Sequence, residues 1–119
     1  MTAEQPIHAS RETSILMFSD DILSARLLKQ VLLHRRYRVR EVSKVATLQG
    51  AIAQQHPDLI LLDIIKPGDE VFLLCQELKS RAATALTPVL FVSAFQQVAD
   101  KVRAFAVGGD DYLTKPYHP

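Results

Sequence analysis

Apolar residues fall into five short runs separated by stretches with a helical period. "SILMFS" (14–19), "YRVREV" (37–42), "DLILL" (58–62), "PVLFVS" (88–93) and "DYLTK" (111–115) have the length and the β-branched or aromatic content of strands. In residues 22–34, Leu23, Leu27, Leu28, Val31 and Leu32 share one side of a helical period, which predicts a first helix. Residues 47–55 give a short second helix, and Val71, Leu74, Cys75 and Leu78 recur at i, i+3, i+4 and i+7 on a third. Val98, Val102, Phe105 and Ala106 mark a fourth, stopped by the glycine pair 108–109.

Strands alternating with helices predict an α/β fold, with parallel strands joined by right-handed crossovers and helices on both sheet faces. "LILL" is continuous because a central parallel strand is buried on both faces. In such sheets, ligands gather beyond the carboxyl ends of the strands. Ser19 and Asp20 end the first run, Asp63 ends the third, Ser93 the fourth and Lys115 the fifth. Residues 1–13 are mostly polar, carry a proline and lack an apolar period, so they read as a flexible tail or linker before a domain spanning 14–119.

With 119 residues, 48% hydrophobic and 23% charged, the chain has material for one domain core. Fourteen Lys and Arg against thirteen Asp and Glu leave a formal charge of +1, which points to neither nucleic acid nor a membrane surface as a partner of this domain. The basic stretch "HRRYRVR" (34–40) reads as the cationic end of the first helix followed by a charged edge strand. The single Cys75 cannot form an internal disulfide, the start does not read as a leader, and no run is long enough to span a bilayer; a cytoplasmic location is expected. The four histidines lack metal-ligand spacing, and no glycine-rich loop follows a strand to cradle a nucleotide.

The strand-end residues suit another chemistry. A carboxylate can attack phosphorus and form an acyl phosphate if the charge on the transferred group is neutralised. Two carboxylates with a bound Mg²⁺, a lysine as a positive point charge and a hydroxyl donor would supply that. "DLILLDI" followed by Pro67, "PVLFVSA" and "GGDDYLTKPY" occur in order, without gaps from Ser14 to Tyr117, and together they resemble the receiver domain of two-component signalling. The resemblance implies a flavodoxin-like, doubly wound five-stranded sheet in the order 2-1-3-4-5. It makes Asp63 the phosphoacceptor, Asp20 and Asp63 Mg²⁺ ligands together with the backbone carbonyl of Ile65, and Lys115 the phosphate-pairing lysine. Ser93 would be the switch hydroxyl and Tyr112 the aromatic that changes rotamer, with helix four and strand five as the output surface. The bond between Lys115 and Pro116 is expected to be cis. The implied donor is a phosphohistidine on a histidine kinase or phosphotransfer domain, and the domain would catalyse at most its own phosphorylation.

The chain departs from the family pattern in places. Ser19 stands where receivers usually carry the first of two acids, so one metal-site charge is missing. Asp21 is a poor substitute, because successive strand residues point opposite ways. Ile65 and Phe95 fill positions that tune loss of the phosphoryl group, and neither can orient a water, so slow self-dephosphorylation is expected. The chain stops at "PYHP", where receivers continue into a fifth helix beside the first. An exposed apolar strip is therefore expected there, either because this is a cut piece of a longer protein, such as a hybrid sensor kinase, or because a second copy covers it as a homodimer. The competing reading is a pseudo-receiver that serves as an unphosphorylated docking or dimerisation module.

Overall fold

The computed structural model describes residues 12–115; the other terminal residues, including most of the predicted tail and Pro116, lie outside it. Its elements are β1 (Ser14–Ser19), α1 (Ile22–His34), β2 (Arg38–Val42), α2 (Val45–Gln54), β3 (Leu59–Ile64), α3 (Asp69–Ser80), β4 (Val89–Ser93), α4 (Val98–Ala106) and β5 (Asp111–Thr114). All neighbouring strands pair in parallel, in the order β2-β1-β3-β4-β5, as the resemblance implied. β3 runs beyond the expected "DLILL" to include Asp63 and Ile64, because the ladder continues through Ser19↔Asp63 and Ile64↔Ser93.

Side chains alternate across a parallel sheet, and that parity divides the core in two. Leu16, Phe18, Ile60, Leu62, Ile64, Val89, Phe91 and Tyr112 share one cluster with Leu48 of α2, Leu78 of α3 and Ala104 of α4. Ile15, Met17, Leu61 and Val92 form the other, with Ala25 of α1 and the half-buried Leu28 and Leu32. The expected apolar side of α1 is therefore split. Leu28 and Leu32 meet the sheet, whereas Leu23, Leu27 and Val31 are exposed, because a helix lying on one sheet face buries only an arc of its surface. On α4, too, Ala104 is buried while Val98, Val102 and Phe105 remain exposed. The third helix follows its predicted pattern, with Val71, Leu74, Cys75 and Leu78 all buried. Burial raises the Cys75 thiol pKa to about 11, which leaves it an inert core side chain.

Within the basic stretch, Arg40 has a structural role. Strand β2 is a sheet edge, and the Arg40 guanidinium donates to the Gln55 carbonyl, beyond the last residue of α2, and to the Ala51 carbonyl, which also accepts from the Gln55 amide. At the opposite end of the sheet from Asp63, Asp110 accepts from the Val89 amide (2.7 Å) and from Lys79 Nζ (2.8 Å), which pins the start of β4 to the turn before β5. That turn needs both glycines. Gly108 has φ +100°, and a Cβ at Gly109 would lie 2.8 Å from the Ala104 carbonyl and 2.9 Å from Phe91 Cε1. Gly109→Ala should therefore cost roughly 1–3 kcal/mol through overpacking. Gly50→Ala, within α2 and with no atom near its would-be Cβ, should stabilise by about 0.5–1 kcal/mol. Urea melts of both variants check the contrast.

Candidate functional site

The same parity places the candidate site. Ser19, Asp63 and Lys115 continue the strand faces that carry Met17, Leu61 and Leu113, so they point toward α1, while Asp20 and Ser93 belong to the opposite face. Asp63 is completely buried, with 0% exposure. An isolated carboxylate there would be severely destabilising, so its partners decide whether the site can exist. Lys115 Nζ lies 2.8 Å from Oδ1. The Ser24 hydroxyl donates to Oδ1 at 2.9 Å and the Ser19 hydroxyl to Oδ2 at 2.7 Å. One acceptor is thus held from β1, α1 and the residue after β5.

Lys115 is shared. Its ammonium also reaches Asp21 Oδ2 at 3.1 Å and the Ile64 carbonyl at 3.3 Å. Burial alone would lower its pKa, but hydrogen bonds and attraction from Asp63 and then Asp21 outweigh it, and the pKa is raised. A raised lysine pKa stabilises the fold throughout neutral pH and loses that contribution only as pH climbs through the raised value. Asp21 is the N-cap of α1 and accepts from the Ser24 amide. Partial burial pushes its pKa up, yet the Ser24 amide and Lys115 bring it below the ordinary carboxylate range. Its contribution is present above that range and is lost as pH falls through the lowered value.

The remaining predicted residues are close by but do not touch the acceptor. Asp20 is exposed, and its Oδ1 accepts from the Ile65 amide at 2.8 Å, clamping the loop after β3. Ser93 donates to the Ile65 carbonyl at 3.1 Å and accepts from the Phe95 amide. Among the described residues it makes no hydrogen bond to Asp63. Tyr112 is buried on the Phe91 ring, and its hydroxyl donates to the Phe95 carbonyl at 2.8 Å. Burial raises its pKa. Ser24 escaped the sequence reading because it sits inside a helix, not at a strand end. Its one signal was a polar residue three positions after an N-cap aspartate, the spacing of an ordinary cap.

Among the described residues no three acidic, histidine or cysteine side chains cluster as a metal site. The available donors are hard oxygens: Asp20, Asp63 and the Ile65 carbonyl. Two carboxylates with a carbonyl and waters satisfy what a small hard cation requires, at the low end of its usual charge, so this donor set fits magnesium.

Five parallel strands in this order, with a buried aspartate paired to a lysine at their carboxyl ends, define a receiver. Comparison with known sequences agrees: the response regulator receiver domain family matches residues 15–119, and the chain belongs to it. Curated relatives include the transcriptional regulatory protein GltR of Pseudomonas aeruginosa, 34% identical over 106 residues, covering 89% of this chain and 44% of the relative. The DNA-binding dual master transcriptional regulator RpaA of Synechocystis is 38% identical over 103 residues, covering 87% and 43%. The chain thus spans less than half the length of these relatives. Among solved structures, one from Chloroflexus aurantiacus assigned to a response regulator superposes with a TM-score of 0.83 at 28% identity, covering 92% of this chain and 89% of that one. The receiver domain of a signal transduction histidine kinase from Syntrophus aciditrophicus gives 0.77 at 28% identity, covering 89% and 80%.

The buried pair can be tested by itself. Lys115→Met should destabilise the chain by about 2 kcal/mol, less than a bare buried charge would cost because two hydroxyl donors remain on Asp63. Adding Asp63→Asn should recover most of the loss, as a double-mutant cycle in chemical denaturation would show.

Proposed function

We propose that this receiver accepts a phosphoryl group on Asp63 from a phosphohistidine of a histidine kinase or phosphotransfer domain, and that the group switches an interaction surface. The supporting observation is a carboxylate at the carboxyl end of the central strand with a lysine ammonium 2.8 Å away. In the transfer, a carboxylate oxygen of Asp63 attacks phosphorus as the phosphorus–nitrogen bond breaks. The bonding pair stays on the histidine nitrogen, which takes up a proton, and Asp63 becomes an acyl phosphate. Lys115 is already at the acceptor and needs only to turn toward the phosphoryl oxygens to neutralise them.

Asp20, Asp63 and the Ile65 carbonyl would hold Mg²⁺, which when bound neutralises charge on the transferred group. Ser93 can exchange the Ile65 carbonyl for a phosphoryl oxygen, since both are acceptors within reach of the same loop. That exchange would release one anchor of the segment leading to Phe95, whose carbonyl Tyr112 holds. The rotamer of Tyr112 and the exposed face of α4 and β5 thereby respond to the acceptor. The shift is limited to the difference in how well the phosphoryl group binds the two arrangements. Residues 14–119 form the working domain, in a cytoplasmic protein. The curated relatives are transcriptional regulators, which favours that kind of parent chain over a hybrid kinase.

A second reading is favoured by one observation: Asp63 is wholly buried with both oxygens already held, as suits a pseudo-receiver that docks or dimerises without phosphorylation. Intact-mass measurement after incubation with a small-molecule phosphodonor separates the two. A single adduct that is lost in Asp63→Asn and with chelator supports the first reading; no adduct on a folded chain supports the second. The adduct should persist for many minutes, because Ile65 and Phe95 offer no group to position water; loss of the label within seconds contradicts this. Ser19→Asp should tighten Mg²⁺ by about tenfold, the equivalent of roughly 1.4 kcal/mol, and should destabilise the metal-free chain. Calorimetric titration and thermal melts read the two effects separately.

A further inference from the structure

Ser24 lies in the first turn of α1, where a serine hydroxyl ordinarily serves nearby backbone. Here it is buried and directed at Asp63, 39 residues away in sequence, where it donates to Oδ1 at 2.9 Å. A second route runs from the acceptor to the same helix. Lys115 bridges Asp63 to Asp21, the N-cap of α1. Ser19 adds a third, since its hydroxyl donates to Asp63 Oδ2 and accepts from the Asp21 amide. By contrast, the hydrogen bonds of Ser93 and Tyr112 go to Ile65 and Phe95 on the other side of the strand ends.

We propose that Ser24 is a positioning residue of the phosphoacceptor, which fixes Oδ1 of Asp63 and couples the state of that carboxylate to helix α1 as a rigid body. The proposal rests on reading Asp63 as the phosphoacceptor. When one oxygen of Asp63 takes on a substituent, the negative charge moves outward to the new group. The oxygen left behind becomes a weaker acceptor than a carboxylate oxygen. Lys115 is drawn toward the new charge and away from Asp21. Both holds on the first turn of α1, direct and through the lysine, then relax together. A helix transmits such a shift along its axis, so it reaches Leu27 and Val31, which lie one and two turns further on and are exposed. Leu23, Leu27 and Val31, with whatever packs on that side of α1, then report the state of Asp63 independently of α4 and β5.

The test uses the chain with beryllium trifluoride and Mg²⁺, in which an Asp63 oxygen displaces water from beryllium and no protein bond breaks. Fluorine NMR reports the bound adduct, methyl resonances of Leu27 and Val31 report α1, and the Phe95 amide reports the other side. In the unmodified chain all three should change. Ser24→Ala should still form the adduct, at a higher beryllium trifluoride concentration, and keep the Phe95 change, but it should clearly reduce the Leu27 and Val31 response while the Lys115 and Ser19 routes remain. Ser24→Thr, which retains the hydroxyl, should restore it. If Leu27 and Val31 are silent in the adduct, or respond equally in Ser24→Ala, or stay reduced in Ser24→Thr, the proposal is overturned while the phosphoacceptor reading survives. If no bound fluorine signal forms on the folded chain, that reading fails and the proposal falls with it.

Discussion

Everything at the carboxyl end of this sheet depends on keeping one carboxylate, Asp63, out of water and still satisfied. A charge with no exposed surface is tolerated only with an opposite charge and hydrogen bonds in good geometry. Lys115 supplies the first, and Ser19 and Ser24 the second. Each comes from a different element, so the constraint ties β1, α1, β3 and β5 into one arrangement. A slip of β1 against β3 by a single residue would turn Ser19 to the opposite face and leave Oδ2 without its donor. The polar site therefore enforces the same register that the apolar clusters require.

The alternation of side chains then separates two tasks that sit within a few ångströms of each other. Asp63, Ser19 and Lys115 face α1. Asp20, Ser93 and Tyr112 face the larger cluster under α2, α3 and α4. Contact between the two sets passes through backbone: the Asp20 amide donates to the Asp63 carbonyl, the Lys115 amide to the Ser93 carbonyl, and Ile65 offers its amide to Asp20 and its carbonyl to Ser93. Ile65 thus joins Asp20 to Ser93, in a loop whose side chain is exposed and whose backbone is doubly held. On the function proposed above, a change at Asp63 would reach Ser93 by exchange of hydrogen-bond partners, without disturbing packed core.

Much of this was legible from the chain. Apolar runs separated by helical periods are enough for a parallel α/β sheet, and polar residues at the ends of those runs mark the site, because both follow from burial and local period. Which residues touch depends on parity, and that was legible only in part. The opposite orientations of Ser19 and Asp20 follow from simple alternation. The partnership of Ser24 with Asp63 does not, because it joins a helix turn to a strand and requires the helix to be docked first. The exposed Val98, Val102 and Phe105 were hidden for a related reason: a helical stripe shows that a face is apolar, but not whether that face meets this chain.

Ser19 shows how one substitution can serve the fold and strain the chemistry together. Two unit charges about 4 Å apart interact by roughly 4 kcal/mol at an effective dielectric of 20. An acid in place of Ser19, whose oxygen lies 2.7 Å from Asp63 Oδ2, would press a like charge onto a carboxylate that has one lysine to share with Asp21. The serine turns that repulsion into a donated hydrogen bond, so the metal-free pocket is balanced without an ion. By the same change the pocket loses a negative charge that would draw in a divalent cation. A site settled without an ion would have less to gain from one, so the serine that steadies the resting fold would also weaken the hold on a cation.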